Sequence, residues 1–226
     1  MIFLISRGII NNMARKTKED SQRTRDLILD AAEFIFCEKG VAHASMADIA
    51  ERAGVSRGAI YGHYKNKTEV ALAMCGRALE QPAFPGKREE YESSLLYLRA
   101  QYLHFLKGYM ESGSLQRVLE ILYSKCEANE ENKPILELRE SWEARCWQEN
   151  MDLMQAAVNQ GDLPPNLGLS LACTYLSSLV NGVCTMMLDS LSRKIESWEA
   201  VERILDTGLD ALRLSENMRE PANPVD

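Results

Sequence analysis

The side chains with chemistry to offer are six cysteines, three histidines and one run of unopposed cations. Cys37, Cys75, Cys126, Cys146, Cys173 and Cys184 form no C-x-x-C pair, and His43, His63 and His104 join none of them at a metal-ligand spacing. A thiol enzyme needs a base beside its nucleophile. Cys37 and His43 are separated by a helix end, and the last four cysteines have no histidine near in sequence. Catalysis, a metal and a cofactor are therefore not expected, and the thiols read as reduced and mostly buried. The cations are more telling. From Arg52 to Thr68 stand Arg52, Arg57, Lys65 and Lys67 with no acid among them, inside a chain of 226 residues whose net charge is -7. A solvated face normally mixes signs, whereas a one-sign cluster suits a polyanion such as a nucleic-acid backbone. The asymmetry holds on a larger scale: residues 1–80 carry 12 basic and 10 acidic side chains, residues 81–226 carry 14 and 23.

The elements that position these cations are helices, since no alternating β-branched run occurs and the chain reads as all-α. Ile28, Ala31, Ala32, Ile35 and Phe36 make one helical face, on a helix starting near Asp20 or Ser21 and stopping at Gly40. Ser45 with Asp48 is a capping-box variant opening a short amphipathic helix of Met46, Ile49, Ala50 and Ala53, which Gly54 ends. Ser56 caps a very short third helix to about Tyr61 or His63, and Asn66 with Glu69 starts a fourth, to Glu80. Beyond Pro82, Pro85 and Gly86, helices are expected at about 88–111, 114–128, 134–160, 168–189 and 197–213, nine in all, with a frayed tail from Ser215.

Two short helices joined through Gly54 and Val55 have the layout of a helix-turn-helix, whose second helix projects an outer face toward a DNA major groove. The string A-D-I-A-E-R-A-G-V-S-R-G-A-I-Y-G-H-Y-K-N-K, from Ala47 to Lys67, resembles the DNA-binding domain of the TetR family of bacterial repressors. F-C-E-K-G at Phe36 to Gly40 supports the resemblance. M-A-R-K-T-K at Met13 to Lys18 and R-V-L-E-I-L-Y-S-K-C-E at Arg117 to Glu127 resemble the local repressors of multidrug efflux pump operons in Gram-negative bacteria. The resemblance implies a homodimeric repressor in the cytoplasm that binds a palindromic operator.

By chemistry, Arg57 is placed for a bidentate contact to guanine, and Ser45 and Lys67, at helix N-termini, for phosphate. Tyr61 and His63 resemble the family's phosphate-contacting positions, whereas Tyr64, beside Ile60, reads as core. Ser56, Gly58 and Ala59 complete the exposed start of the recognition helix, Gly58 leaving room for close backbone approach. Arg15, Lys16 and Lys18 form a basic arm suited to the backbone or the minor groove.

The expected division is an extension and arm at 1–19, the DNA-binding domain at 20–65, an effector-binding and dimerising domain at 66–214 and a disordered tail at 215–226. Translation starting at Met13 would account for residues 1–12. Leu163–Leu188 has no charged residue, yet its two prolines and scattered Ser, Thr and Asn favour a helix buried in protein over a membrane span. Leu169, Ala172, Cys173, Leu176, Leu179, Val180, Val183 and Met187 form one broad apolar face, and Leu205, Leu209 and Leu212 another; the resemblance implies that both join a dimeric four-helix bundle. Trp147, Met151 and Met154 follow one face of their helix, and with Met110, Cys184 and Met187 suggest an adaptable apolar effector pocket. Glu120, Glu143, Glu149 or Asp152 would give it an anionic wall for a cationic drug. Relief by a small hydrophobic or cationic ligand and relief by an antirepressor protein both remain open.

Overall fold

The computed structural model describes residues 2–80, 84–111, 113–188, 195 and 197–220, with side chains from Lys18 onward, Leu188 excepted. Among these residues are nine α-helices and, outside them, a single isolated bridge pair. They are α1 (Ile2–His43), α2 (Met46–Ala53), α3 (Arg57–His63), α4 (Lys67–Leu79), α5 (Ser94–Glu111), α6 (Ser114–Glu120), α7 (Lys133–Gln160), α8 (Leu169–Leu188) and α9 (Trp198–Leu214). α1 begins far ahead of the Asp20 or Ser21 that capping chemistry marks, because neither Pro nor Gly interrupts residues 9–39. Gly40, at φ 75°, ends its regular part and turns the chain past the Lys125 carbonyl. α5 starts at Ser94 rather than near 88, a 3-10 turn at Arg88–Glu90 preceding it, and α6 runs into a π turn at Ile121–Lys125.

The chain packs as two units, residues 1–81 with 114–140, and residues 82–113 with 141–226. The division expected near residue 65 does not separate them, for α4 turns Val70, Ala71, Met74 and Cys75 into the same core as α1–α3. Ile28, Ala32 and Phe36 of α1 meet Ile49, Ile60, Val118, Ile121, Leu122 and Ile135 there, all fully buried. Each large aliphatic side chain so buried contributes about 1.5–3 kcal/mol. Among the described residues one acid lies in this interior. Glu33, 2% exposed, accepts hydrogen bonds from Arg77 of α4 at 2.8 Å, and from Ser114 and Arg117 of α6 at 2.7 and 2.8 Å.

In the second unit Leu95 and Leu98 of α5, Met154 and Ala157 of α7, Ala172, Cys173 and Leu176 of α8, and Leu205, Leu209 and Leu212 of α9 form the core. This corrects the face assigned to a second copy. Ala172, Leu176, Leu205, Leu209 and Leu212 are buried in that core, because α8 and α9 turn these residues toward their own unit, and Leu169 and Leu179 are half-buried against it; Val180 and Val183 are likewise buried within the single chain. A Cβ added at Gly208 would fall 2.4 Å from the Leu179 side chain, so α9 lies directly against α8. The outward row of α8 is Ser170, Thr174, Ser178, Asn181 and Thr185, with Leu171 and Met186 beside it. α8 is long and apolar enough, by length and composition, to cross a membrane. That polar row makes it a two-faced helix of a packed unit instead.

The start of the tail is ordered, not frayed. A 3-10 turn at Glu216–Met218 leads to a backbone bridge in which Gly168 N–H donates to the Met218 carbonyl and Glu220 N–H to that of Asn166, both at 2.8 Å. Arg219 ties the same segment to the carbonyls of Leu212 and Arg213. Residues 221–226, within the stretch expected to be a tail, lie outside the described residues.

Candidate nucleic-acid interface

α2 is fixed at both ends by its own residues. The Ser45 hydroxyl accepts from Asp48 N–H at 3.2 Å and donates to the Asp48 carboxylate at 2.8 Å, while Ser45 N–H donates back to that carboxylate at 3.0 Å. Lys39 reaches the same acid at 2.8 Å. Its hydrogen bond foremost, then those of Ser45, hold the Asp48 carboxyl down at about 2. Gly54, at φ 67°, closes the C-terminus, and Val55 N–H returns to the Ala50 carbonyl at 3.0 Å. Ser56 then caps α3 by accepting from Ala59 N–H at 3.1 Å.

α3 is held from inside and bare outside. Ile60 is fully buried and Tyr64 is 5% exposed, as expected of core residues. The Tyr64 hydroxyl accepts from Arg25 Nε at 3.1 Å, tying the end of α3 to α1. Arg57, Gly58, Tyr61 and Gly62 face outward, and Ala59 and His63 are half-buried on the flanks. Tyr61 is 57% exposed, and a Cβ at Gly62 would meet nothing within 4 Å. Arg57 makes no ion pair among the described residues. An unengaged guanidinium, a phenol and two glycines thus line a face that can enter a groove and approach its floor closely.

Two of the sequence-derived cations behave differently. The Lys67 ammonium donates to the Ala42 carbonyl at 2.9 Å and lies 3.5 Å from Glu131, its side chain only 17% exposed. It fastens α4 to the α1–α2 junction, which corrects its assignment to phosphate. Lys65, absent from that assignment, is the solvent-facing cation at this end: its side chain is 87% exposed and 3.8 Å from Glu69. Its sequence signal was the acid-free run itself. Arg52 is exposed and sits over the Phe34 ring at 4.3 Å, as does Arg117. Ser45, though exposed, has its hydroxyl engaged in the cap. Lys18 is exposed on α1, while the side chains of Arg15 and Lys16 lie outside those described.

The effector candidates are not brought to one surface. Met154 is fully buried and Cys184 is 9% exposed, Met151 and Met187 are half-buried, and Met110 and Trp147 face solvent. Glu149 and Asp152 are exposed and Glu143 half-exposed, so none of them forms a buried anionic wall; Glu120 belongs to the first unit. Sequence reasoning missed Tyr102 of α5, whose hydroxyl is sealed from solvent without a partner among the described residues. Nothing in its sequence surroundings marks it. The thiols are not poised as nucleophiles: burial raises Cys37 and Cys173 to about 11, and Cys75 and Cys184 to about 12. Among the described residues no cluster of His, Cys, Asp and Glu forms a metal site.

Residues 28–74 match the family of bacterial regulatory proteins called tetR, and residues 93–214 match the C-terminal region of MAATS-type transcriptional repressors. The chain belongs to the TetR family. As a TetR-family protein it is a DNA-binding transcriptional regulator and not an enzyme. It is 36% identical to the probable HTH-type transcriptional regulator ArpR of Pseudomonas putida over 92% of this chain and 100% of that one. Among solved structures it is similar to MexZ, a key repressor responsible for antibiotic resistance in Pseudomonas aeruginosa, with 46% identity, a TM-score of 0.79, and 88% of this chain and 100% of that one covered. It is also similar to SmeT of Stenotrophomonas maltophilia in complex with triclosan, at 25% identity, a TM-score of 0.67, and 90% and 98% coverage.

Proposed function

We propose that this TetR-family protein represses a multidrug efflux operon, binding a palindromic operator as a dimer and leaving it when a small apolar molecule enters the second unit. The DNA part rests on one observation above all, the open outer face of α3, with Arg57 unengaged and Tyr61 exposed on a helix anchored by Ile60 and Tyr64. Two such faces related by a two-fold axis require half-sites about 34 Å apart or a matching larger spacing. The outward row of α8 supports pairing: Ser170, Ser178 and Gly182 are small enough for close approach, and Thr174 and Thr185 bond their own helix carbonyls at 2.9 Å each. Efflux control is supported by the likeness to SmeT, the repressor of the multidrug efflux pump SmeDEF, and small-molecule relief by the complex of SmeT with triclosan. A ligand shifts the equilibrium only by preferring the conformation that fits DNA worse.

The test is fluorescence anisotropy with duplexes tiled across the DNA flanking the gene, followed by titration of triclosan and other pump substrates into the complex. A salt-dependent, sequence-selective complex with two protomers per site, released by at least one compound, is the expected result. Retention of random DNA equally well removes the repressor reading. Operator binding that no compound relieves, but that a protein encoded nearby does, replaces the small-molecule effector with an antirepressor.

A further inference from the structure

Tyr102 presents the second unit with an unanswered donor. Its ring packs against the core of α5, α7, α8 and α9, and its hydroxyl is sealed from water with no hydrogen-bond partner among the described residues. Burial above all drives its pKa up, with the Cys173 and Cys146 sulfurs near enough to add to the shift, so it remains a neutral donor. Nearby, the Cys173 thiol lies 3.6 Å from the Met154 sulfur, and Leu103 and Met151 pack on the same core. An unpaired buried hydroxyl costs stability, and replacing it with an apolar group of the same shape is nearly neutral or better. A phenol kept in such a place points to something that binds it.

The unit's other buried polar side chains do not compete for that role. Ser94 accepts from Arg88 at 2.9 Å and Ser93 accepts from Leu96 N–H at 3.2 Å. Asp162 carries an unpaired buried carboxylate oxygen, but it follows the end of α7, near the start of α5. Ser94 N–H donates to the Gln160 side chain, which places the end of α7 beside the start of α5, and Tyr102 is eight residues, about 12 Å, further along. Met154, Cys173, Leu103 and Met151, which share its core, bring no charge, and Glu143 and Glu149, the acids that act on Cys146, are half-exposed and exposed.

From this we infer that Tyr102 is the specificity-determining donor of the effector site, and that its ligand is an uncharged, largely apolar molecule bearing one hydrogen-bond acceptor, a carbonyl or an ether oxygen, rather than a cationic drug. This rests on the reading that the second unit accepts a small effector. Soft Met and Cys side chains repack around varied apolar bodies, and the phenol supplies the directional contact.

The experiment uses the full chain and its Tyr102→Phe variant with a matched pair of probes, 1-acetylnaphthalene and 1-ethylnaphthalene, and with ethidium as a permanent cation. Binding is read by calorimetry and by quenching of tryptophan fluorescence. Wild type is expected to bind the ketone about tenfold tighter than the hydrocarbon and more tightly than ethidium. Tyr102→Phe is expected to erase the ketone's advantage, leave the hydrocarbon unchanged and melt, without ligand, at the same or a higher temperature. The inference is overturned if the variant keeps the preference, if neither naphthalene binds, if ethidium binds best, or if the variant alone melts several degrees lower, since a water would then already satisfy the hydroxyl. Operator release is followed on the same samples. Ketone binding that needs Tyr102 but releases no DNA upholds this site while removing the effector role proposed above.

Discussion

Arg117 donates from Nη2 at 2.8 Å and from Nε at 3.3 Å to one oxygen of the buried Glu33 carboxylate, joining α6 to α1. The other oxygen takes Arg77 of α4 at 2.8 Å and Ser114 at 2.7 Å, and Arg77 also reaches Asp30 at 2.7 Å. One carboxylate therefore fixes both α4 and α6 on the helix that carries the helix-turn-helix, and neither can leave without stranding charge. Arg117 adds a contact with the Phe34 ring at 4.3 Å, which Arg52 of α2 also makes.

Glu33→Gln tests that junction. The amide keeps the volume but leaves two guanidiniums without their shared anion. Removing one partner of a buried pair costs about 3–5 kcal/mol, and because the two arginines are 26% and 28% exposed the lower end, about 3 kcal/mol, is expected. Urea unfolding followed by circular dichroism measures it. A loss under about 1 kcal/mol would mean that water already screens the site.

Asp48 sets an acid limit on α2. Its carboxyl is held at about 2 by Lys39 and Ser45, against an ordinary 3.8, so the folded state binds its proton less readily than the unfolded chain. The stability this gives is complete above about pH 4 and is lost as pH falls toward 2. Wild type should therefore exceed Asp48→Asn in stability at pH 6, with the gap closing between pH 4 and 2. A gap that stays constant over that interval would assign the difference to helix capping alone.

What was legible in the sequence follows from the range of each interaction. The Ser45–Asp48 box, the Asn66 cap and the Gly54 turn are made within a few residues, so composition at fixed offsets revealed them, and with them the inner and outer faces of α3. The fate of Lys67 was not legible, because its partner is a carbonyl 25 residues away whose position only the tertiary fold determines. α8 misled for another reason. It has no charge on either face, so apolarity alone does not say whether Leu176 meets its own core or a second copy. The bridge at Leu167 and Arg219 is made by backbone, to which periodicity is blind.

The three cations near α3 should separate by role. Arg57→Ala is expected to cost about 1–3 kcal/mol on the operator and to relax preference at one base pair in each half-site. Lys65→Ala should weaken every sequence alike and lower the salt slope by about 1 for each phosphate no longer neutralised. Lys67→Ala should leave the salt slope unchanged and reduce thermal stability, since its ammonium is engaged inside the first unit. Anisotropy at several salt concentrations, with operator and scrambled duplex, reads all three. A flattened slope for Lys67→Ala would restore that lysine to the phosphate-binding residues.

The two faces of α8 give the sharpest contrast. Leu176 is fully buried in the second unit's own core, whereas Ser178 and Asn181 lie on the outward row. Leu176→Asp places an unpaired charge in the interior, and loss of helical signal at ordinary temperature is expected. Ser178→Arg puts charge and bulk on the surface where small residues allow close approach; the protomer should keep its helical content while sedimenting as a monomer. Operator affinity should fall with it, because one recognition helix then meets one half-site without the second. If Ser178→Arg and Asn181→Arg both sediment as dimers, pairing does not use α8.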